Sequence, residues 1–266
     1  MDKTTIPGLV LALAALLGGA YMEGTTPDKL VMIPAFIIVI GGTIGATMIA
    51  FPLSVALAIP KLLGILVKEV HHDLTHVVDT FVKLADRARR EGLLALEQEA
   101  SSLEPFARRG IQMVVDGSDP ALVREILEAD IESMRERHKP GAAFFDAMGG
   151  YAPTMGILGT VMGLVHVLEN LSEPDKLGPL IASAFLATLY GIFFANAVFL
   201  PMATKMKGKS AEEIHLKELT VEGVLAVQAG DNPRVVREKL EAFLPPSLRG
   251  QAGAKGGDAA AQKKAA

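Results

Sequence analysis

Two threonines inside uncharged apolar runs are the residues best suited to chemistry in this chain. Thr160 lies in Pro153-Thr-Met-Gly156-Ile-Leu-Gly159-Thr160-Val-Met-Gly163-Leu164, and Thr188 in Ala187-Thr188-Leu-Tyr190-Gly191. A hydroxyl oxygen can replace part of a cation's hydration shell. It can equally bond the carbonyl four residues back in its own helix, and residue type leaves both readings open. No carboxylate lies deep in an apolar run. Asp146 is near one end of the run that holds Thr160, and Glu169 lies just past the other. Intramembrane acids are the usual ion carriers, so conduction by this chain calls for an acid from a partner chain. Histidines offer less. His71-His72-Asp73 with His76 has spacings that can put two imidazoles on one helix face, but a charged helix ordinarily leaves them solvated and no metal is expected. His166 is expected to pack at an interface. No nucleophile–base pair, phosphate loop or Gly-x-Ser-x-Gly occurs, so no enzyme is expected.

The elements that carry these residues are membrane-spanning by length. Half of the 266 residues are hydrophobic, and there is no Trp. Uncharged runs extend over Thr4 to Met22, Leu30 to Pro60 (core Leu30 to Phe51), Ala147 to Leu168, and Leu177 to Thr204. About 20 apolar residues cross a bilayer as a helix. The second and fourth runs exceed one thickness, so tilt or emergence into water is expected. The first could be a signal-peptide core, but Lys3 beside Asp2 makes a poor leader and a second run follows closely. It reads as a retained helix. Within the third run, Pro153 frees a backbone carbonyl, and the recurring glycines let a neighbouring helix approach. Two roles remain open for it: a tightly packing helix lining a polar path, or a packing helix with a harmless kink.

The connections set orientation. Glu23 to Lys29 and Glu169 to Lys176 are short and mostly acidic. Lys61, Lys68, Lys205, Lys207 and Lys209 follow directly after runs, and Arg135, Arg137 and Lys139 precede the third. The positive-inside rule places those segments, and both termini, in the cytoplasm. The fold expected is all-α, a polytopic membrane protein with four transmembrane helices and a large helical cytoplasmic region. Its parts are helices 1 and 2 in residues 1–60, a cytoplasmic insert in 61–143, helices 3 and 4 in 144–204, C-terminal helices in 205–244, and a disordered tail in 245–266. The tail is dominated by Gly, Ala, Lys and Gln. The absence of Cys excludes disulfides and thiolate metal sites. A net charge of −4 gives no reason to expect nucleic acid; lipid is the expected surrounding.

Within the cytoplasmic parts, apolar residues recur at helical spacing over Lys68 to Ala88, and Gly92 interrupts or ends that helix. Pro105 marks a boundary before a helix over Phe106 to Val115. Asp119-Pro120 is an N-cap with Pro at N1, opening Ala121 to Arg137, whose alternating charges suit an exposed helix with local ion pairs. Ser210 to Gln228 reads as one more helix, and Asn232-Pro233 caps a short one to about Phe243. No strand pattern stands out.

These residues resemble the A subunit of the bacterial flagellar motor stator, the MotA/PomA family. The resemblance runs from Ile6 to about Leu244. It rests on Arg89-Arg90-Glu91-Gly92-Leu93-Leu94-Ala95-Leu96-Glu97, on the segment starting at Pro153, and on Pro201-Met-Ala-Thr with Lys209-Ser210-Ala211-Glu212. It implies a homopentamer in the bacterial inner membrane around a MotB/PomB-type B subunit, which supplies the ion-binding Asp and a peptidoglycan anchor. It further implies no cofactor beyond a transported cation, Na+ or H+, and a rotor partner, FliG. Residue by residue, Arg89 and Glu97, with Arg90 beside them, match the rotor-facing charges. Pro153 and Pro201 match the prolines that couple ion passage to movement. Thr160 and Thr188 match positions facing the ion path. Sodium-type members carry threonine at the Thr160 position where many proton-type members have alanine, so sodium is favoured. Several members carry Asp where this chain has Gly150, which removes an acidic group from the inner mouth. The ExbB/TolQ subunits of envelope energy transducers share the Gly-Thr-Val segment and give the alternative function; a membrane scaffold that conducts nothing is the third reading.

Overall fold

The computed structural model describes residues 4–67 and 73–249. His71 and His72, and the expected tail from residue 250 onward, lie outside the described residues. Among those described, every regular element is helical. They form two compact units, one drawing on residues up to 67 and 137–209, the other on 73–136 and 210–249.

In the first unit, α1 covers Thr5–Met22. A single 3-10 turn, Pro27–Leu30, precedes α2 over residues 33–50, which runs as Ile33–Phe36, a π-helical stretch Ile37–Gly41, and Gly42–Ala50. After Phe51 and Pro52 the chain opens a separate helix, α3, Leu53–Val67. The long uncharged run expected to continue to Pro60 is therefore two helices. The cause is Pro52, which disfavours the α conformation at Phe51; Phe51 is extended, with φ −127° and ψ 147°.

Two long helices serve both units. We number the insert helices α4, Leu74–Glu91; α5, Leu96–Ala100; and α6, Pro105–Val115. Then α7 is Pro120–Glu169, and α8 covers Pro174–Gln228 through a π-helical stretch at Phe194–Phe199. The last, α9, is Pro233–Glu241. The sequence suggested that Ala121 to Arg137 and Ser210 to Gln228 were separate from the apolar runs beside them. Instead each is continuous with its neighbour, because no residue between them must leave the helical region: Pro140 is carried within α7.

Among the described residues, four helical segments are long and apolar enough to cross a membrane: Thr5–Met22, Pro27–Ala50, Pro120–Glu169 and Pro174–Gln228. Lys209 Nζ donates to the Ile65 carbonyl at 2.5 Å and to that of Leu66 at 3.3 Å, a cation on the negative end of α3.

The second unit has its own core, with Phe81, Leu96, Ile111, Leu127, Leu219 and Leu240 at its centre. Local signals place its helices. Asp73 accepts from the N–H of His76 at 3.1 Å; the Thr75 hydroxyl, then that N–H, holds its carboxyl below the usual carboxylate range. Asp119 accepts from Ala121 N–H and Asn232 from Arg234 N–H, each beside a Pro at the first helical position. Gly92 ends α4 at φ 85°, a conformation that L side chains rarely adopt. Gly223 is held against Phe81: a Cβ there would lie 2.5 Å from the ring. Gly223→Val is expected to destabilise this unit by about 1–3 kcal/mol, the usual cost of overpacking. A lowered thermal midpoint of the purified full chain would register it.

Candidate functional site

Small residues bring α7 and α8 together. A Cβ at Gly156 would meet the Ala187 carbonyl oxygen at 2.8 Å and the Cα atoms of Thr188 and Gly191 at 3.2 Å. A Cβ at Gly191 would meet the Ala152 carbonyl oxygen at 2.5 Å and the Pro153 Cα at 3.2 Å. Gly163 abuts Ala184, and Gly159 abuts Ala187. Backbone approaches backbone directly, the arrangement that small residues permit between membrane helices. The packing anticipated from the glycines is thus present, with Pro153 inside a continuous helix beside Gly191.

That approach unites the two candidate threonines. The Thr160 hydroxyl bonds the Gly156 carbonyl in its own helix at 3.1 Å, the Ala184 carbonyl of α8 at 2.9 Å, and the Thr188 hydroxyl. Thr160 therefore bonds its own helix at i−4 and also reaches across to the other. Four oxygens converge, two hydroxyl from half-buried threonines and two carbonyl from buried Gly156 and Ala184, all uncharged. A hydroxyl shared in this way can turn its lone pairs towards a cation while its proton stays on a carbonyl.

The remaining site residues fall elsewhere. Pro201 is exposed and directly follows the π-helical stretch Phe194–Phe199 and Leu200. Its ring nitrogen cannot donate to the Ala197 carbonyl, and the wider turn before it carries the chain past that missing bond. Asn196 in this stretch donates to the Ile192 carbonyl at 2.9 Å, and Thr204 to that of Leu200 at 3.0 Å. Asp146 pairs with Lys207 at 2.5 Å. A Cβ at Gly150 would meet nothing within 4 Å, so the position has room for a side chain. His166 is exposed and lies 3.3 Å from Glu169. His76 is exposed, and among the described residues no group of three or more His, Cys, Asp or Glu could hold a metal ion.

In the second unit, Arg89 and Glu97 are exposed, and among the described residues neither has an ion-pair partner. Arg90 differs: it pairs with Asp86 at 2.9 Å on the same helix. Sequence reasoning missed Arg87. It bonds Glu91 at 3.1 Å and Glu99 of α5, which braces the turn Leu93–Ala95 between Arg89 and Glu97. It also missed Thr43 and Thr47, both fully buried on α2 and bonded to the carbonyls of Val39 and Thr43, and Tyr190, whose hydroxyl reaches the backbone of Leu30 and Met32. A hydroxyl in an apolar run was the available signal for all three.

A model of the MotA/TolQ/ExbB proton channel family matches residues 98–219. Motility protein A of Bacillus subtilis (strain 168) is 41% identical over 252 residues, 94% of this chain and 93% of its own length. The chain belongs to the MotA/TolQ/ExbB proton channel family. Within this family its likeness to motility proteins extends further: chemotaxis protein PomA of Vibrio alginolyticus is 36% identical over 249 residues, 94% of this chain and 98% of PomA. A chain of the flagellar MotAB stator complex from Bacillus subtilis is similar with a TM-score of 0.89 at 40% identity, covering 95% of this chain and all of that one. A chain of C. jejuni MotAB gives 0.88 at 31% identity, covering 92% and 97%. The part matched by the family model contains Pro153, Thr160, Thr188 and Pro201, whereas Arg89 and Arg90 precede it.

Proposed function

We propose that this chain is the A subunit of a flagellar motor stator, coupling cation influx to rotation of the flagellar rotor in the bacterial inner membrane. Likeness over nearly the full length to a chain of a MotAB stator complex carries this reading. The oxygen cluster supports it: Thr160 and Thr188 offer neutral ligands without an acid of their own, so a B subunit of MotB/PomB type supplies the ion-binding Asp and the peptidoglycan anchor. In this reading a homopentamer surrounds that partner, both termini are cytoplasmic, and Pro153 and Pro201 convert ion passage into movement of α7 and α8. Arg89 and Glu97, with Arg90, contact the rotor protein FliG. Sodium is favoured over the proton because Thr160 adds an oxygen that a metal cation can use and a proton does not need. The alternative, an ExbB/TolQ-like energiser of an envelope system, has only the shared family segment in its favour.

The test is swimming speed of a stator-less host carrying this chain and its B partner, across sodium concentrations at fixed pH and ionic strength. Speed is expected to rise with sodium. Thr160→Ala is expected to raise the sodium concentration for half-maximal speed about tenfold, the equivalent of ~1.4 kcal/mol of lost ion affinity. Sodium-independent speed that collapses with a protonophore would make the stator proton-driven. Absence of motility from an assembled complex would move the reading to the envelope energiser.

A further inference from the structure

We infer that Tyr190 is a positioning residue for the Thr160–Thr188 oxygen cluster, holding Thr188 in place by clamping α8 to a break in the backbone at the start of α2. The inference rests on the ion-path reading above. Val31 and Met32 are extended, with φ/ψ of −102°/105° and −127°/103°, between the turn Pro27–Leu30 and α2. They lie within the second apolar span, Pro27–Ala50. In such a segment a backbone group outside the helical ladder has little water to turn to.

One phenol serves both sides of this break. Met32 N–H donates to the Tyr190 hydroxyl at 2.9 Å, and that hydroxyl donates to the Leu30 carbonyl. A phenol can do both at once, because its oxygen accepts while its proton is given. The ring is fixed as well. Phe36 meets it edge-on at 6.3 Å and 80°, and it packs with Met32 and Ile40 on buried Ala35, Val39 and Ala187.

The location of the clamp links it to the cation ligands. Thr188 is two residues before Tyr190, and residues so spaced face different ways on a helix. Thr188 turns to Thr160 of α7, while Tyr190 turns to α2. Gly191, next in sequence, touches Ala152 and Pro153 of α7. This one turn of α8 is therefore held from two sides. Without the phenol its α2 side is loose, and Thr188 shifts relative to the Thr160 hydroxyl and the Ala184 carbonyl.

Tyr190→Phe removes both hydrogen bonds and keeps the ring contacts. The full chain is expressed with its B partner, and swimming speed is measured against the coupling cation, sodium or external protons. The concentration for half-maximal speed is expected to rise several-fold while the maximal speed is kept. In the double variant with Thr160→Ala, the rise should equal that of Thr160→Ala alone, because both act on one cluster. A merely structural tyrosine would lower the amount of assembled complex and leave half-saturation unchanged; that result overturns the inference. Additive rises in the double variant overturn it too. A second measurement separates this inference from the stator reading: the cation-dependent rise in thermal midpoint of the purified complex. If the wild type drives no motility, the stator reading fails. The clamp is then decided by whether Tyr190→Phe moves that rise to higher cation concentration or leaves it in place.

Discussion

Gly191→Val is expected to abolish motility and to strip the assembled complex from the membrane. The added Cβ would come to 2.5 Å from the Ala152 carbonyl oxygen and 3.1 Å from the Gly156 Cα. Both are backbone atoms of α7, so no side-chain rotation relieves the overlap. Overpacking ordinarily costs about 1–3 kcal/mol through side chains that can shift. Here two helices must separate, so the cost is expected at or above the upper end, a large share of a stability of roughly 5–15 kcal/mol. Separation also pulls Thr188 from Thr160, so any surviving complex loses its oxygen cluster. Gly45→Ala in α2 is the control, because a Cβ there meets nothing within 4 Å. It should keep both membrane level and swimming speed. Immunoblots of membrane fractions and thermal midpoints in detergent measure the difference; a Gly191→Val complex as abundant and stable as the Gly45→Ala one would refute the close-packing argument.

The contrast between those two glycines marks the limit of what was legible in the sequence. Four apolar runs, the caps at Asp119 and Asn232, and the stop at Gly92 are local signals. Each depends on residues within one turn, and the structure has each where the pattern put it. Gly45 and Gly191 both sit in apolar runs, and only tertiary packing tells which one faces a helix. The core expected for the second run, Leu30 to Phe51, ends at the break before Pro52. Apolar composition continued past it, and the conformational restriction on Phe51 outweighed composition. The continuity of α7 is the converse: the helix expected to end at Arg137 runs on, and Pro140 is absorbed within it. Of the candidate site, the threonines were found by their setting, but their joining through Ala184 and Gly156 needed the helix pairing. The Tyr190 hydroxyl was visible in its apolar run, but its partners were not: they are backbone groups about 160 residues away, and nothing in Leu30 or Met32 announces an extended backbone.

Arg89→Glu is the second variant expected to have a severe effect, a loss of most torque at high load with membrane level unchanged. Arg89 is exposed and has no ion-pair partner among the described residues, so its reversal breaks nothing internal. A surface pair is worth only about 0–1 kcal/mol, but in the proposed rotor contact reversal would turn attraction into repulsion at every encounter, and long-range fields also steer such encounters. Arg90→Glu provides the discriminating comparison. Arg90 pairs with Asp86 at 2.9 Å, so its reversal sets two carboxylates at i,i+4 on α4, which costs a few tenths of a kcal/mol of helix stability. If the rotor reads Arg89 directly, Arg89→Glu should lower torque more than Arg90→Glu, although only Arg90→Glu breaks an ion pair within the chain. An opposite reversal in the rotor protein should restore torque to Arg89→Glu alone. Torque from tethered cells, as a function of ionic strength, decides the matter. Raising salt should weaken the wild type and narrow its gap to Arg89→Glu, because screening shortens the reach of exposed charges to about 8 Å at 0.15 M. Equal torque in wild type and Arg89→Glu would remove the rotor-contact reading and leave these charges as a solvated helix end.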